Sequence, residues 1–161
     1  MSKIKIGVIG CGTIANNAHI PSYMNNPDVE IAYFCDVNPE RANDAVKKYG
    51  VGKAVMDYRE VIADPEVEAI SVCTPNNMHA TISIEALKAG KHVLCEKPAA
   101  RTYEEALFMQ KAQKEYGKIL NIGVVNRFRT GVLKVKELID AGELGDVYHV
   151  YASFRAHRSI P

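Results

Sequence analysis

Ile4-Lys5-Ile6-Gly7-Val8-Ile9-Gly10-Cys11-Gly12-Thr13-Ile14-Ala15 decides the fold of this chain. Ile6 to Ile9 is a short apolar run of the kind a strand buried on both faces requires. It stops at Gly10-Cys11-Gly12-Thr13-Ile14-Ala15, a G-x-G-x-x-A turn that opens a helix. Gly10 permits a tight exit from the strand, Gly12 lets a pyrophosphate approach the backbone, and Ala15 lets the helix pack near the strand. The free N–H groups at the helix start, at Thr13 and Ile14, point toward an anion. A second apolar run, Glu30 to Cys35, ends at Asp36. An acid at the tip of the second strand is placed to accept from the hydroxyls of an adenosine ribose. Turn, helix and acid together predict a dinucleotide site in a βαβ unit, and the alternative is an ordinary turn without phosphate.

The 161 residues are enough for a real core, and 47% apolar with 24% charged is a globular composition. A net charge of +1 gives no electrostatic case for nucleic acid or an anionic membrane. No apolar run is long enough to span a bilayer, and the chain enters its first strand without a signal-peptide pattern; both predict a cytoplasmic protein. Cys11, Cys35, Cys73 and Cys95 share no metal-type spacing, fall at or just past strand ends, and read as small buried hydrophobes.

Taken in order, the first helix is expected to run only to about Ile20, because Pro21 removes a donor and kinks or ends it, with Ser22–Asn26 as a second short turn. His19 within it reads as a surface or packing histidine. Asn38-Pro39 opens a second helix, from Pro39 to Tyr49, and Gly50 ends it. Lys53–Met56 is a third strand, Asp57 caps a brief helix to Ala63, and Ala69–Cys73 is a fourth strand. A helix from His79 to Ala89 leads to a fifth strand, His92–Cys95. Thr102 with Glu105 predicts a capping box for a helix to Tyr116. Ile119–Val125 is a sixth strand, and Gly131–Ala141 an amphipathic helix carrying Val132, Val135, Leu138 and Ile139. Val147–Arg158 alternates cleanly and predicts a half-buried strand of an open sheet. Six strands alternating with helices make a doubly wound parallel α/β sheet, expected order 3-2-1-4-5-6. Gly10, Asp36, Thr74 and Glu96 then fall together at the carboxyl edge, where such sheets bind ligands.

Gly10–Ala15, Cys35-Asp36-Val37, Thr74-Pro75-Asn76, Gly90-Lys91-His92-Val93-Leu94-Cys95-Glu96-Lys97-Pro98 and Asn126-Arg127-Phe128 occur in that order along the whole chain. Together they resemble the N-terminal part of the glucose–fructose oxidoreductase / inositol dehydrogenase / rhizopine catabolism (Gfo/Idh/MocA) family. The Glu-Lys-Pro element is the most specific piece. The resemblance implies a Rossmann domain over residues 1–126, and at 127–161 the start of a second, mostly antiparallel domain for substrate and assembly. It implies hydride transfer between a nicotinamide cofactor and a sugar, polyol or related carbohydrate. Lys97 would hydrogen-bond the reacting oxygen, where an ammonium stabilises alkoxide character or relays the proton. Glu96 would orient Lys97 or touch the nicotinamide ribose. Thr74, Asn77 and Asn126 would contact cofactor, and His79 would touch it or cap its helix. Arg127 would reach substrate or pair with an acid. The resemblance also implies a cis peptide between Lys97 and Pro98.

Family members usually exceed about 300 residues, as two domains require. A downstream aspartate and histidine of the family pattern have no counterpart here, and His149 and His157 do not match it. The reading is therefore a truncated cofactor-binding part without turnover of its own. The competing reading is a non-catalytic dinucleotide sensor or regulator, which would have no need of Lys97. A reductase of another class on the same fold is a third. NAD is expected over NADP, since Asp36 would meet a 2′-phosphate with like charge; Arg41 could offset this. The Val147–Arg158 strand, left without a sheet, is expected to pair with its copy in a homodimer.

Overall fold

A computed structural model describes residues 2–153. They form two compact units that meet in sequence between Val124 and Val125. The first holds six parallel strands: β1 (Ile4–Ile9), β2 (Val29–Cys35), β3 (Lys53–Val55), β4 (Ala69–Val72), β5 (His92–Cys95) and β6 (Leu120–Ile122). Their spatial order is β3-β2-β1-β4-β5-β6, as the alternation of strands and helices predicts. β1 lies between β2 and β4, with Ile9 opposite both Cys35 and Val72. The carboxyl ends of β1, β2 and β4 are thereby level.

Side-chain alternation sorts β1 between two cores. Ile6 and Val8 pack with Phe34, Ala15, Ile20 and Ala45. Ile9 packs on the other side with Val61, Val72, Ile82 and Leu87. Helices therefore cover both faces, and this is why the strands are mostly apolar. On the first face are a π-helical turn (Ala15–His19), α1 (Ile20–Met24) and α2 (Pro39–Tyr49). On the second are α3 (Tyr58–Ala63), α4 (His79–Lys88) and α5 (Tyr103–Tyr116).

The helix starts follow local chemistry. The Asn38 side chain accepts from Glu40 N, and that of Asp57 accepts from Arg59 N. Two expectations are corrected. Pro21 does not end the first helix. The wider turn before it, with Ile20 N–H donating to Ala15 O, carries Pro21 into the first turn of α1, where its missing N–H is no loss. The capping box at α5 is only half formed. Thr102 Oγ1 accepts from Glu105 N at 3.2 Å, but the Glu105 carboxylate takes Arg101 N at 3.0 Å and the Arg101 guanidinium at 2.7 Å. A charge-assisted pair outcompetes the return bond to Thr102.

The second unit has a 3-10 turn (Val125–Phe128) and α6 (Thr130–Asp140). None of its described residues is buried, and Val132, Val135 and Ile139 of the expected apolar stripe are exposed. Val147–Ser153 forms no strand, contrary to expectation: a strand needs a hydrogen-bonded neighbour, and none is paired with it among the described residues. Residues 154–158 of that expected strand lie outside the described residues.

Candidate functional site

β1 ends in a turn that tolerates no side chain at its first position. Gly10 has φ +93°, and a Cβ on it would stand 2.6 Å from the carbonyl carbon of Cys73. Gly10 N donates to Cys35 O, and Cys73 N donates to Ile9 O, both at 2.7 Å. The turn is thus sewn to the ends of β2 and β4. Gly12 differs: a Cβ there would meet nothing within 4 Å. The chain's own packing gives no reason for glycine at that position.

Asp36, at the tip of β2, is buried and completes the turn. Its Oδ2 accepts from Cys11 N and its Oδ1 from Asn38 N, each at 2.9 Å. A carboxylate has about four acceptor positions, so two are left over. Beside it opens a cavity of about 450 Å³. Gly10, Gly12, Asp36, Thr74 and Asn77 line it, so five of the sequence-predicted residues come together around one space. Arg41, Met56 and Tyr58 line it too. Arg41 carries the cation of its wall; Met56 and Tyr58 follow β3, whose turn has no motif to flag it. Thr74 Oγ1 is buried without a hydrogen-bond partner, an orphan at the cavity.

The other predicted residues are placed differently. Thr13 and Ile14 are exposed at the helix start. His79 is fully buried and links two loops: Nδ1 lies 2.7 Å from Pro98 O and Nε2 2.9 Å from Thr74 O. Neither a cap nor an open contact, it ties the Thr74 loop to the turn after β5. Lys97 is exposed on that turn, and its peptide with Pro98 is cis, as expected. Glu96 is buried. Its Oε1 is 2.8 Å from His19 Nε2, and its Oε2 accepts from Lys97 N at 3.1 Å. Asn126 belongs to the second unit, where it is exposed.

His19 is the residue that sequence reading missed. It is buried at 8% exposure, with Nδ1 2.9 Å from Ser71 Oγ. One signal was available: Ser71 is the polar residue of an otherwise apolar strand, and such a group needs a partner. The partner's identity depended on tertiary contact. Near this edge all four thiols are held protonated. Burial pushes Cys11, Cys35 and Cys73 up to about 12 and Cys95 to about 11, so they are inert rather than nucleophilic. Among the described residues no cluster of His, Cys, Asp and Glu could hold a metal, and no helix is long and apolar enough to cross a membrane.

Known proteins share this arrangement. Residues 4–124 match the Gfo/Idh/MocA model, described as an oxidoreductase family with an NAD-binding Rossmann fold. D-glucoside 3-dehydrogenase of Escherichia coli K12 is 32% identical over 160 residues, covering 99% of this chain and 46% of that protein. Myo-inositol 2-dehydrogenase of Thermotoga maritima is 35% identical over 142 residues, covering 88% of this chain and 42% of that protein. Among solved structures, the WlbA dehydrogenase of Bordetella pertussis, in complex with NADH and UDP-GlcNAcA, superposes with a TM-score of 0.85. It is 32% identical over 91% of this chain and 42% of that one. KijD10, a 3-ketoreductase of Actinomadura kijaniata in complex with NADP and TDP-benzene, gives 0.80 at 29% identity, over 88% and 43%. The chain therefore spans less than half the length of these relatives. With its matched Rossmann domain and its glycine turn, acidic strand tip and Glu-Lys-Pro turn on one sheet edge, this chain belongs to the Gfo/Idh/MocA oxidoreductase family.

Proposed function

We propose that the chain supplies the cofactor-binding part of an oxidoreductase that moves hydride between a nicotinamide dinucleotide and a sugar, polyol or related carbohydrate. The observation that carries this reading is Gly12 beside Asp36. One leaves open space that the chain does not fill, and the other keeps acceptor capacity next to it. Gly10, Gly12, Thr13 and Ile14 would hold the pyrophosphate, Asp36 the adenosine ribose, and Thr74 and Asn77 the groups nearest their loop. The orphan Thr74 hydroxyl supports a polar ligand there. The nicotinamide would supply the hydride acceptor or donor. Lys97 would supply an ammonium at the reacting oxygen, to stabilise its developing charge or carry its proton. Glu96, Asn126 and His79 complete the set that the family resemblance assigns to the cofactor, His79 acting through the Thr74 loop that it ties down.

NAD is favoured over NADP. A ribose 2′-hydroxyl can donate to Asp36, whereas a 2′-phosphate brings like charge into a partly desolvated site. Arg41, on the same cavity wall, is the observation favouring NADP. Titration of the purified chain with NADH and NADPH tests this. NADH should bind at least about tenfold more tightly, about 1.4 kcal/mol, and Asp36→Ala should erase most of that ratio. Equal affinities would refute the preference. Lys97→Ala should leave NADH affinity within about threefold, roughly 0.7 kcal/mol. A larger loss would make Lys97 a cofactor ligand first. A homodimer through Val147–Arg158 remains a proposal from the sequence pattern, for which light scattering of the eluted chain is the test.

A further inference from the structure

We propose that His19 positions Lys97 by holding the Glu96 carboxylate, and that Ser71, backed by Tyr23, donates to the other nitrogen of the His19 ring. The proposal rests on the reading of Lys97 given above. His19, Glu96 and Ser71 are 8%, 7% and 1% exposed, so every polar atom in the group must find a partner inside the protein. Glu96 receives from two directions: Lys97 N–H on Oε2 and the His19 ring on Oε1. A carboxylate only accepts, so the proton of His19 sits on Nε2. In the neutral ring Nδ1 then has a lone pair and needs a donor, and Ser71 Oγ stands 2.9 Å away with one O–H to give.

The Ser71 oxygen in turn accepts from the Tyr23 hydroxyl at 3.1 Å. Burial raises the Tyr23 phenol, which keeps it a donor. Three bonds run one way, from Tyr23 to Ser71 to His19 to Glu96, and the Cys73 thiol, 3.6 Å from Ser71 Oγ, is left to donate to it. They end on the Glu96 carboxylate as shared acceptor, and Lys97 N–H donates to it from the other side. Bonds aligned in this way strengthen one another in a low dielectric.

The carboxylate also has little room to leave. A Cβ on Gly123, just past β6, would stand 3.2 Å from Glu96 Oε1, so β6 closes the pocket from behind. His19 lies 77 residues from Glu96 in sequence and ends the π-helical turn, a local widening that often marks functional positions. The helical stretch that begins beside Gly12 therefore carries, at its next turns, the group that holds Glu96. Its two ends serve the phosphate turn and the lysine turn. His79, bound to Pro98 O, steadies the other side of Lys97 independently.

The test is amide exchange measured by NMR on the whole 161-residue chain. In His19→Ala, the Lys97 amide should exchange at least about tenfold faster, while Ile70 and Val72 amides in β4 stay within about threefold. In His19→Gln the side-chain amide can donate to Glu96 and accept from Ser71, so Lys97 protection should return to within about threefold of the parent. Long-range proton–nitrogen spectra should show the Nε2–H tautomer in the parent, and in Ser71→Ala a changed Nδ1 shift, from loss of its donor, while Nε2 keeps its proton toward Glu96. If His19→Ala does not fold, the Gln and Ser71 variants decide. Unchanged Lys97 exchange in a folded His19→Ala, no recovery with Gln, or an Nδ1–H ring in the parent would overturn the proposal. None of these readouts uses turnover. A Lys97→Ala change that spares the activity of a longer enzyme would sink the proposed function while leaving the amide result standing.

Discussion

Gly10 and Gly12 look interchangeable in the motif, yet they answer to different demands. Gly10 is required by the fold, because its backbone is left-handed and a Cβ would enter the Cys73 peptide. Gly12 has open space, so its lack of a side chain makes sense only toward a ligand. Gly10→Ala should therefore cost at least about 2 kcal/mol of unfolding free energy, from backbone strain plus the clash. Gly12→Ala should change stability by no more than about 0.5 kcal/mol. Yet it should weaken NADH binding at least about tenfold. Urea melts and NADH titration of both variants separate the two roles. A Gly12→Ala chain that binds NADH normally would remove the central support for the pyrophosphate site. At this scale the sequence was legible wherever chemistry is local. The Gly10–Ala15 turn, Asp36 and the Asn38 cap could all be read from their neighbours. The pairing of His19 with Glu96 could not, because the pairing of buried polar groups is settled by tertiary contact and leaves no local period.

At the scale of elements, strand order followed from alternation alone, since right-handed crossovers leave few ways to lay six parallel strands. Element ends were less legible where long-range forces decide them. β6 stops at Ile122 because Gly123 N makes the last bond to β5, at Cys95 O, and Val124 N then turns back on Ile122 O. The first helix passes Pro21 because a π turn precedes it. The strand ends share one further property. Cys35 and Cys95 end β2 and β5, and Cys11 and Cys73 follow β1 and β4 closely. Burial raises all four thiols from 9.0 to about 11 or 12. A group whose pKa is higher folded than unfolded holds its proton better in the folded state. Its stabilisation is complete below the unfolded value and is lost as pH rises toward the folded one. Stability should be level in this respect up to about pH 9 and then fall steadily toward pH 12. Each thiol contributes at most about 1.4 kcal/mol per pH unit in that window. The urea midpoint at pH 10.5 should lie clearly below that at pH 7.5, and replacing Cys11 and Cys73 by alanine should reduce the difference. Equal midpoints would show that the strand ends open to water without unfolding.

For the whole molecule, the two units carry unequal shares of the structure. Both core clusters draw their buried residues from the first unit, between Ile6 and Ala112, whereas no described residue from Val125 onward is buried. The cavity is lined from Ile9 to Ile82, again within the first unit. The sheet is closed on both faces by helices of that unit, which is the condition for a parallel sheet to stand by itself. A chain ending at Val124 should therefore fold cooperatively. Its unfolding free energy should lie within about 1 kcal/mol of the 161-residue chain, a shift of roughly 4 °C in Tm. NADH should bind it within about twofold of the longer chain, since binding energy follows the groups that touch the ligand. Calorimetry and NADH titration on the two lengths give the answer. If the shorter chain is molten, the second unit supplies structure that the first needs. If it is folded but no longer binds, the cofactor site extends beyond Val124, and Asn126 is the first residue to test for that contact.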